Sequence, residues 1–455
     1  MLSGVGVAGQ RRAYNRRWYL MATEPAAEAI SELSNRLAES IDDHKRFFLT
    51  PAWFQQQLLD WATSDPEFRV KLLRFVDVLP SLRSARAVAD HVRQYFRDSP
   101  HLVGAASGIG SGQVFRPLLS RVVREGVFAM AHRFIAGESA EQAVPALRTL
   151  AEKNVGWTLD LLGEATLSEA EADEYATRYE DLLRTLSESV TDVRPRGAAW
   201  NAVPPVNISV KLSSLCAHFE PAAPDHVSGV TRERLRPFMR LAVERGAFVN
   251  FDMEQYRYRA LVHHVIADLL AEPEFAAYPH IGVVVQAYLR DSLDDLADLR
   301  AIAERRGAPI TIRLVKGAYW DEERIVARQN EWPVPVYEDR GDTDASFERC
   351  TDALIDAFPR LRPAFGSHNP DSIAQAIGKS RAASIADNDI EFQMLYGMAE
   401  GLREEVARQG FRTRVYVPVG RLIPGMAYLV RRLLENTSNQ AWFNVGAGVS
   451  ERVPS

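Results

Sequence analysis

A helical region followed by a (β/α)8 barrel is the architecture that this sequence predicts. Three observations lead there. Apolar residues recur with a helical period over the first quarter of the chain. Beyond it, short β-rich runs alternate with amphipathic segments. Polar residues gather at the ends of those runs, where a parallel barrel carries its functional groups. A doubly wound open sheet is the competing architecture, and the position of the polar residues is the test between them.

In chain order, residues 1–22 carry Arg11, Arg12, Arg16 and Arg17, and the first twenty contain no acid. No hydrophobic stretch with a cleavage-like site follows, so the segment reads as a flexible basic arm rather than a targeting peptide. Residues 23–121 read as a helical domain. Ile30, Leu33, Leu37 and Ile41 form one stripe, and Leu72, Phe75, Val76 and Leu79 another. Helix starts are signalled at Thr50-Pro51 and at Ser64-Asp65-Pro66-Glu67, where a side-chain oxygen precedes a first-turn proline. Phe47, Phe48, Trp53, Phe54 and Trp61 read as core. The glycine-rich run from Gly104 to Gly110 resembles a dinucleotide turn. It follows no strand and has no acid placed for a ribose, so it reads as a linker.

Residues 122–440 read as the barrel, and 441–455 as a tail. The expected strands cover 127–134, 156–161, 206–212, 248–253, 281–287, 310–315, 364–367 and 414–417. Lys211, Asp252, Glu254, Gln286, Arg313, Lys316, Ser367, His368 and Tyr416 lie at or near their ends. Barrel interiors favour branched apolar side chains, so polar groups at one end of so many strands point to a site.

Bulk properties narrow the function classes. The 455 residues, 46% of them hydrophobic, suffice for two or three domains. With 60 acidic against 54 basic residues and a net charge of -6, the chain lacks the electrostatic footprint of a nucleic-acid binder. Cys216 and Cys350 lie in no metal-binding spacing, so neither a metal site nor a disulfide framework is expected. No apolar run is long enough to cross a bilayer, and a soluble, cytoplasmic protein is the expectation.

Arg431 and Arg432 stand side by side on an otherwise apolar segment, 428–436, that follows a strand ending near Tyr416. A guanidinium fork matches a carboxylate in bidentate geometry and stays charged when desolvated, so the pair points to a small acid as substrate. The simpler alternative is a surface helix on which Arg431 pairs with Glu435 at i, i+4 spacing.

Taken in order, the segments 208–213 (ISVKLS), 250–254 (NFDME), 285–288 (VQAY), 313–321 (RLVKGAYWD), 367–369 (SHN) and 391–398 (EFQMLYGM), with Tyr416 and Arg431-Arg432, resemble the proline dehydrogenase family. The resemblance is in particular to the proline dehydrogenase part of bifunctional proline utilisation proteins, and it spans roughly residues 127–440. The preceding helical region looks like the extra helical domain of those members.

The resemblance implies FAD as cofactor and oxidation of L-proline to Δ1-pyrroline-5-carboxylate, with hydride passing to flavin N5 and electrons to a quinone. It implies that Arg431, Arg432 and Lys211 bind the carboxylate, with Glu435 and Asp252 balancing those cations. Tyr319, Leu395 and Tyr416 would wall the ring. Arg313 would stand beside the flavin N5 and O4, with Met253, Gln286, Val315, Lys316, Gly317, Ala318, Trp320, Ser367 and His368 around the rest of FAD. Any meeting with the membrane is expected to be peripheral, at the inner face of the cytoplasmic membrane.

The chain departs from the family pattern at Glu338, where a threonine hydroxyl is expected. It ends soon after the arginine segment. An aldehyde dehydrogenase is therefore expected only as a separate partner or as a module beyond Ser455. Two other readings stand beside this one: a class I aldolase using Lys211 as Schiff base, and a non-enzymatic scaffold.

Overall fold

The structure, a computed structural model, describes residues 24–42, 133–163, 166–190 and 192–421, Arg432, and scattered positions from 65 to 96. Eight parallel strands close in sequence order into a barrel, β1 pairing with β8. They are β1 Gly156–Leu161, β2 Asn207–Val210, β3 Phe248–Phe251, β4 Ile281–Gln286, β5 Ile310–Val315, β6 Leu361–Gly366, β7 Glu391–Leu395 and β8 Arg412–Val419.

Helices before and between the strands form the outer layer. The described ones are α1 Glu24–Asp42, α2 Ala85–Phe96, α3 Ala140–Glu152, α4 Glu169–Ser189, α5 Pro224–Arg245 and α6 Arg259–Ala271. They continue with α7 Ser292–Arg306, α8 Trp320–Gln329, α9 Arg340–Asp356, α10 Pro370–Ala382 and α11 Glu400–Arg408, besides a one-turn helix at Pro273–Ala276. Local chemistry sets their ends. Ser168 accepts from the Glu171 N–H to open α4, and Asn369 accepts from the Asp371 and Ser372 N–H groups to open α10 with Pro370 behind it. Gly246 and Gly307 close α5 and α7 at φ 62° and 69°, a left-handed turn that glycine adopts without strain.

The outward residues of the strands pack on the helices as one core. Trp157, Leu159, Ile208, Val249, Phe251, Val283, Ile312, Leu314, Phe365, Phe392 and Val417 are all buried in it. Helix α1 joins the same core. Its Leu33 and Leu37 belong to the barrel cluster, and Ile30 packs so closely on Gly378 of α10 that a Cβ there would lie 2.5 Å away. The Ser34 hydroxyl donates to Asp371 at the start of α10. The stripe predicted for 30–41 is therefore helical, but this helix buries its apolar face on the barrel. Further along, Asp65 accepts from the Glu67 and Phe68 N–H groups at 3.0 Å each, the cap expected before Pro66.

Two strand expectations need correction. Of the segment 127–134 only Arg133 and Phe134 are described, and they are helical. The barrel instead takes β7 from 391–395, a segment that the sequence marks as a motif rather than as a strand. The arm 1–22, the aromatic cluster 47–61, the linker 104–110 and the tail 441–455 lie outside the described residues. Among the described residues no helix is long and apolar enough to cross a membrane.

Candidate active site

Strand alternation turns every second residue into the barrel, and here many of those residues are polar. At the amino-terminal side, Arg414 of β8 grips Glu391 of β7 through two bonds of 2.7 and 2.9 Å and donates to the Trp157 carbonyl at 2.8 Å. Burial works against the Glu391 carboxylate, but Arg414 outweighs it and holds the group below its usual range. Gln393 donates to Glu391 at 2.6 Å, which leaves its amide oxygen to accept from Arg313 Nε at 2.6 Å.

Arg313, on β5, connects that floor to the upper layer. Its Nη1 donates to Asp252 Oδ1 at 2.8 Å, and both Nη atoms reach Ser209 Oγ at 3.2 Å. Asn250 donates to the same Asp252 oxygen at 3.2 Å. The Tyr416 hydroxyl donates to Asp252 Oδ2 at 2.7 Å, and the Tyr416 ring lies 5.1 Å from the Arg313 guanidinium carbon. Lys211 Nζ donates to Asp160, to Tyr416 Oη at 3.2 Å and to Asp252 Oδ2 at 3.4 Å.

Two cations, Lys211 and Arg313, thus share a buried space with two carboxylates, Asp160 and Asp252. Burial disfavours the Lys211 ammonium, yet Asp160, Tyr416 and Asp252 outweigh it and raise the lysine well above its ordinary value. Burial, reinforced by Asp160 and Asp252, likewise keeps Tyr416 a phenol far into the alkaline range. Burial pushes the Asp160 carboxyl up, with Lys211 opposing. A Schiff-base lysine has to be a free amine, and Lys211 is the reverse: a charged ammonium with all three N–H bonds directed at protein acceptors. The geometry speaks against the aldolase reading.

Around this network, Gln286 at the end of β4 donates to the Met253 and Glu254 carbonyls at 3.1 and 3.0 Å. Its amide oxygen is buried with no hydrogen-bond donor among the described residues. Glu254 accepts from the Ser213 hydroxyl and from its N–H. On the opposite side, His368 Nε2 accepts from the Leu395 N–H at 3.0 Å, and the Ser367 hydroxyl accepts from the Asn369 N–H at 3.1 Å. After β5, Gly317 takes φ 133° over the Tyr288 ring, where a Cβ would come within 2.5 Å. Val315 ends β5, Ala318 is exposed and Tyr319 is buried.

Not every expected residue turns to this centre. Lys316 pairs with Asp344 of α9 at 2.5 Å, and the Trp320 indole N–H is already given to the Tyr337 carbonyl at 2.7 Å. Glu338, where the family pattern has a hydroxyl, pairs with Arg328 at 2.6 Å. Arg432 is helical and buried. Arg431 and Glu435 lie outside the described residues. The sequence reading missed Asp160, Ser209, Asn250 and Gln393. An acid inside the apolar run Gly156–Leu161 was the available signal, since buried carboxylates are rare without a partner.

A closed parallel barrel with a charged, hydrogen-bonded cluster at the carboxyl ends of its strands defines a (β/α)8-barrel enzyme site. Residues 143–444 match the proline dehydrogenase family, and residues 27–134 match the proline utilization A N-terminal domain. The chain belongs to the proline dehydrogenase family.

The bifunctional protein PutA of Escherichia coli strain K12 is 33% identical over 343 residues, covering 73% of this chain and 25% of that protein. The proline dehydrogenase of Deinococcus radiodurans is 31% identical, covering 72% of this chain and 93% of that one. Among solved structures, proline utilization A from Bdellovibrio bacteriovorus inactivated by N-propargylglycine aligns with a TM-score of 0.83 at 38% identity. That alignment covers 94% of this chain and 43% of the other. The chain thus spans a quarter of the bifunctional relative and under half of that solved protein.

Proposed function

We propose that the chain oxidises L-proline to Δ1-pyrroline-5-carboxylate with bound FAD and a quinone as final acceptor. The observation that carries this reading is the Lys211–Asp252–Arg313–Tyr416 network, a balanced set of buried charges at the carboxyl ends of the barrel within the region that matches the family.

Two features fit FAD. The buried Gln286 amide oxygen is an acceptor awaiting an N–H, which a flavin ring carries. The Arg313 guanidinium, held in place by Gln393, Ser209 and Asp252, is a fixed cation suited to a ring that gains negative charge on reduction. Met253, Gln286, Arg313, Val315, Gly317, Ala318, Ser367 and His368 would hold the cofactor, and Lys316 and Trp320 would join them only with the N–H groups or ring faces that Asp344 and the Tyr337 carbonyl leave free. When bound, FAD supplies a two-electron acceptor for hydride.

The protein's own part is to bind, orient and exclude water. Arg431 and Arg432 would take the proline carboxylate as a fork. Lys211 joins them only by exchanging one of its three present partners for that carboxylate. Asp252 receives both Lys211 and Arg313, so its charge offsets part of their repulsion and fixes where each points. Tyr416, with Tyr319 and Leu395, walls the ring, and its hydroxyl is fixed by the bond to Asp252. Arg313, held on three sides by Gln393, Ser209 and Asp252, presents a fixed positive charge where negative charge accumulates during reduction. The lipid-soluble quinone would be met at the membrane surface. The product would pass to an aldehyde dehydrogenase, as partner or further module.

The test is steady-state turnover of the FAD-loaded protein with proline and a short-chain soluble quinone. The reading requires proline-dependent quinone reduction with the imine as product, and no reduction of NAD. Absence of turnover in a protein that retains FAD would overturn it.

A further inference from the structure

We infer that Asp160 is a positioning residue for substrate binding: from the end of β1 it anchors the Lys211 ammonium and so sets the highest pH at which the site accepts a carboxylate. The inference rests on the reading above, in which Lys211 meets the substrate carboxylate.

Asp160 is 1% exposed and pairs in register with Ser209, two residues before Lys211. Its Oδ1 accepts from Lys211 Nζ, and its Oδ2 is buried with no partner among the described residues. Asp252 is different. Its two oxygens receive Arg313, Asn250, Tyr416 and Lys211, with the lysine the longest of the four at 3.4 Å. The negative charge of Asp252 is divided between two cations, whereas Asp160 faces Lys211 alone of the two.

The other groups facing the lysine do not replace it. Tyr416 of β8 accepts at 3.2 Å as a neutral hydroxyl, Tyr179 of α4 accepts the Lys211 backbone N–H at 3.2 Å, and Arg313 on the far side of Asp252 repels. A buried lysine without a dedicated anion loses its proton readily, because desolvation penalises the charged form. Without Asp160, Lys211 would become a neutral amine at lower pH and stop attracting a carboxylate. The flavin chemistry would remain.

The experiment uses the full FAD-loaded chain and tetrahydrofuran-2-carboxylate, a ring acid whose oxygen replaces the proline nitrogen. Its carboxylate is ionised throughout, so any pH dependence of binding from about pH 6 to about pH 10 belongs to the protein. Binding is followed by perturbation of the flavin spectrum. In Asp160→Asn the affinity should fall about tenfold per pH unit above a midpoint inside this window, where the parent, whose Lys211 is held well above its ordinary value, stays flat. Asp160→Glu, which restores the charge, should move the midpoint back. At saturating proline the flavin reduction rate should change less than KM does.

Superimposable pH profiles of Asp160→Asn and the parent would overturn the inference while leaving the proposed function intact. A parent that neither binds the analogue nor oxidises proline would overturn the function itself. If the single variants fail to fold, Lys211→Met is compared with Lys211→Met/Asp160→Asn, which leaves neither charge of the pair behind. The second change should then cost less than about twofold in affinity, since its partner is already gone, and an undiminished loss would again overturn the inference.

Discussion

Replacing Asp252 with alanine separates a charge-balancing site from a merely polar one. The carboxylate receives Arg313 at 2.8 Å, Tyr416 at 2.7 Å, Asn250 at 3.2 Å and Lys211 at 3.4 Å, all at the buried carboxyl ends of the strands. Its removal leaves two buried cations with one carboxylate. Breaking a buried pair by deleting one partner costs about 3–5 kcal/mol, and the Tyr416 hydroxyl, left without its acceptor, adds about 1 kcal/mol. The control is Glu304→Ala, which breaks the Arg300–Glu304 pair at 2.9 Å on α7, where both side chains are half exposed. Such a helical surface pair contributes about 0.3–0.5 kcal/mol. Urea unfolding midpoints and slopes of the two variants should therefore differ several-fold in lost stability. Proline kcat/KM should fall by about 100-fold or more in Asp252→Ala alone, because about 1.4 kcal/mol of transition-state stabilisation is worth a decade. Equal stability losses in the two variants, with activity retained, would refute the charge-balance reasoning.

Arg432→Met should lower proline kcat/KM by roughly 30-fold or more, mainly through KM and with FAD retained, since a buried charge pair truncated on one side costs about 2–5 kcal/mol. Pyrrolidine, which lacks the carboxylate, should be turned over equally poorly before and after. Tyr416→Ser should narrow the preference for proline over 4-hydroxyproline in kcat/KM by opening the ring wall. An unchanged ratio would place Tyr416 outside the pocket. His263 on α6 is held neutral by burial, its value lowered to about 4, with Arg259 adding to the effect. The unfolded histidine binds a proton from about pH 6.5 downward while the folded one does not until about 4, so stability drains away over that window as pH falls. Asp295, 3.5 Å away and raised by burial to about 6, titrates with the opposite sign. The urea stability of His263→Gln relative to the parent should accordingly rise by about 3 kcal/mol between pH 6.5 and 4.

Two strands were readable from their β-rich runs, even though Asp160 and Arg313 face the lumen from within them. The limits expected for 156–161 and 310–315 coincide with β1 and β5. Strand β7 was not readable in that way. Glu391 and Gln393 point into the lumen, where Arg414 and Arg313 neutralise or bond them, and on paper they interrupt the apolar pattern. The opposite error befell 127–134, whose short apolar run fits either period, and whose last two residues are helical.

At the site, Lys211, Asp252, Arg313 and Tyr416 could be picked out because each is polar at a strand end, and the structure joins all four by hydrogen bonds. Their supports could not. Asp160, Ser209, Asn250 and Gln393 matter through partners 51 to 104 residues away for three of the contacts, distances that only barrel closure brings within bonding range. Lys316 and Trp320 carry the reverse lesson. Their neighbours Asp344 and the Tyr337 carbonyl come from the segment after α8, and nothing local in the sequence announces that pairing.

The central claim is that this chain removes a hydride from proline with FAD bound at the barrel's carboxyl ends. Its most direct test is to mix the purified, FAD-loaded protein with L-proline in the absence of oxygen and follow the visible flavin absorption. Loss of that absorption with proline, its persistence with pyrrolidine, and its return on adding a quinone are the expected results. A protein that takes up FAD yet keeps its full absorption in saturating proline would contradict the account.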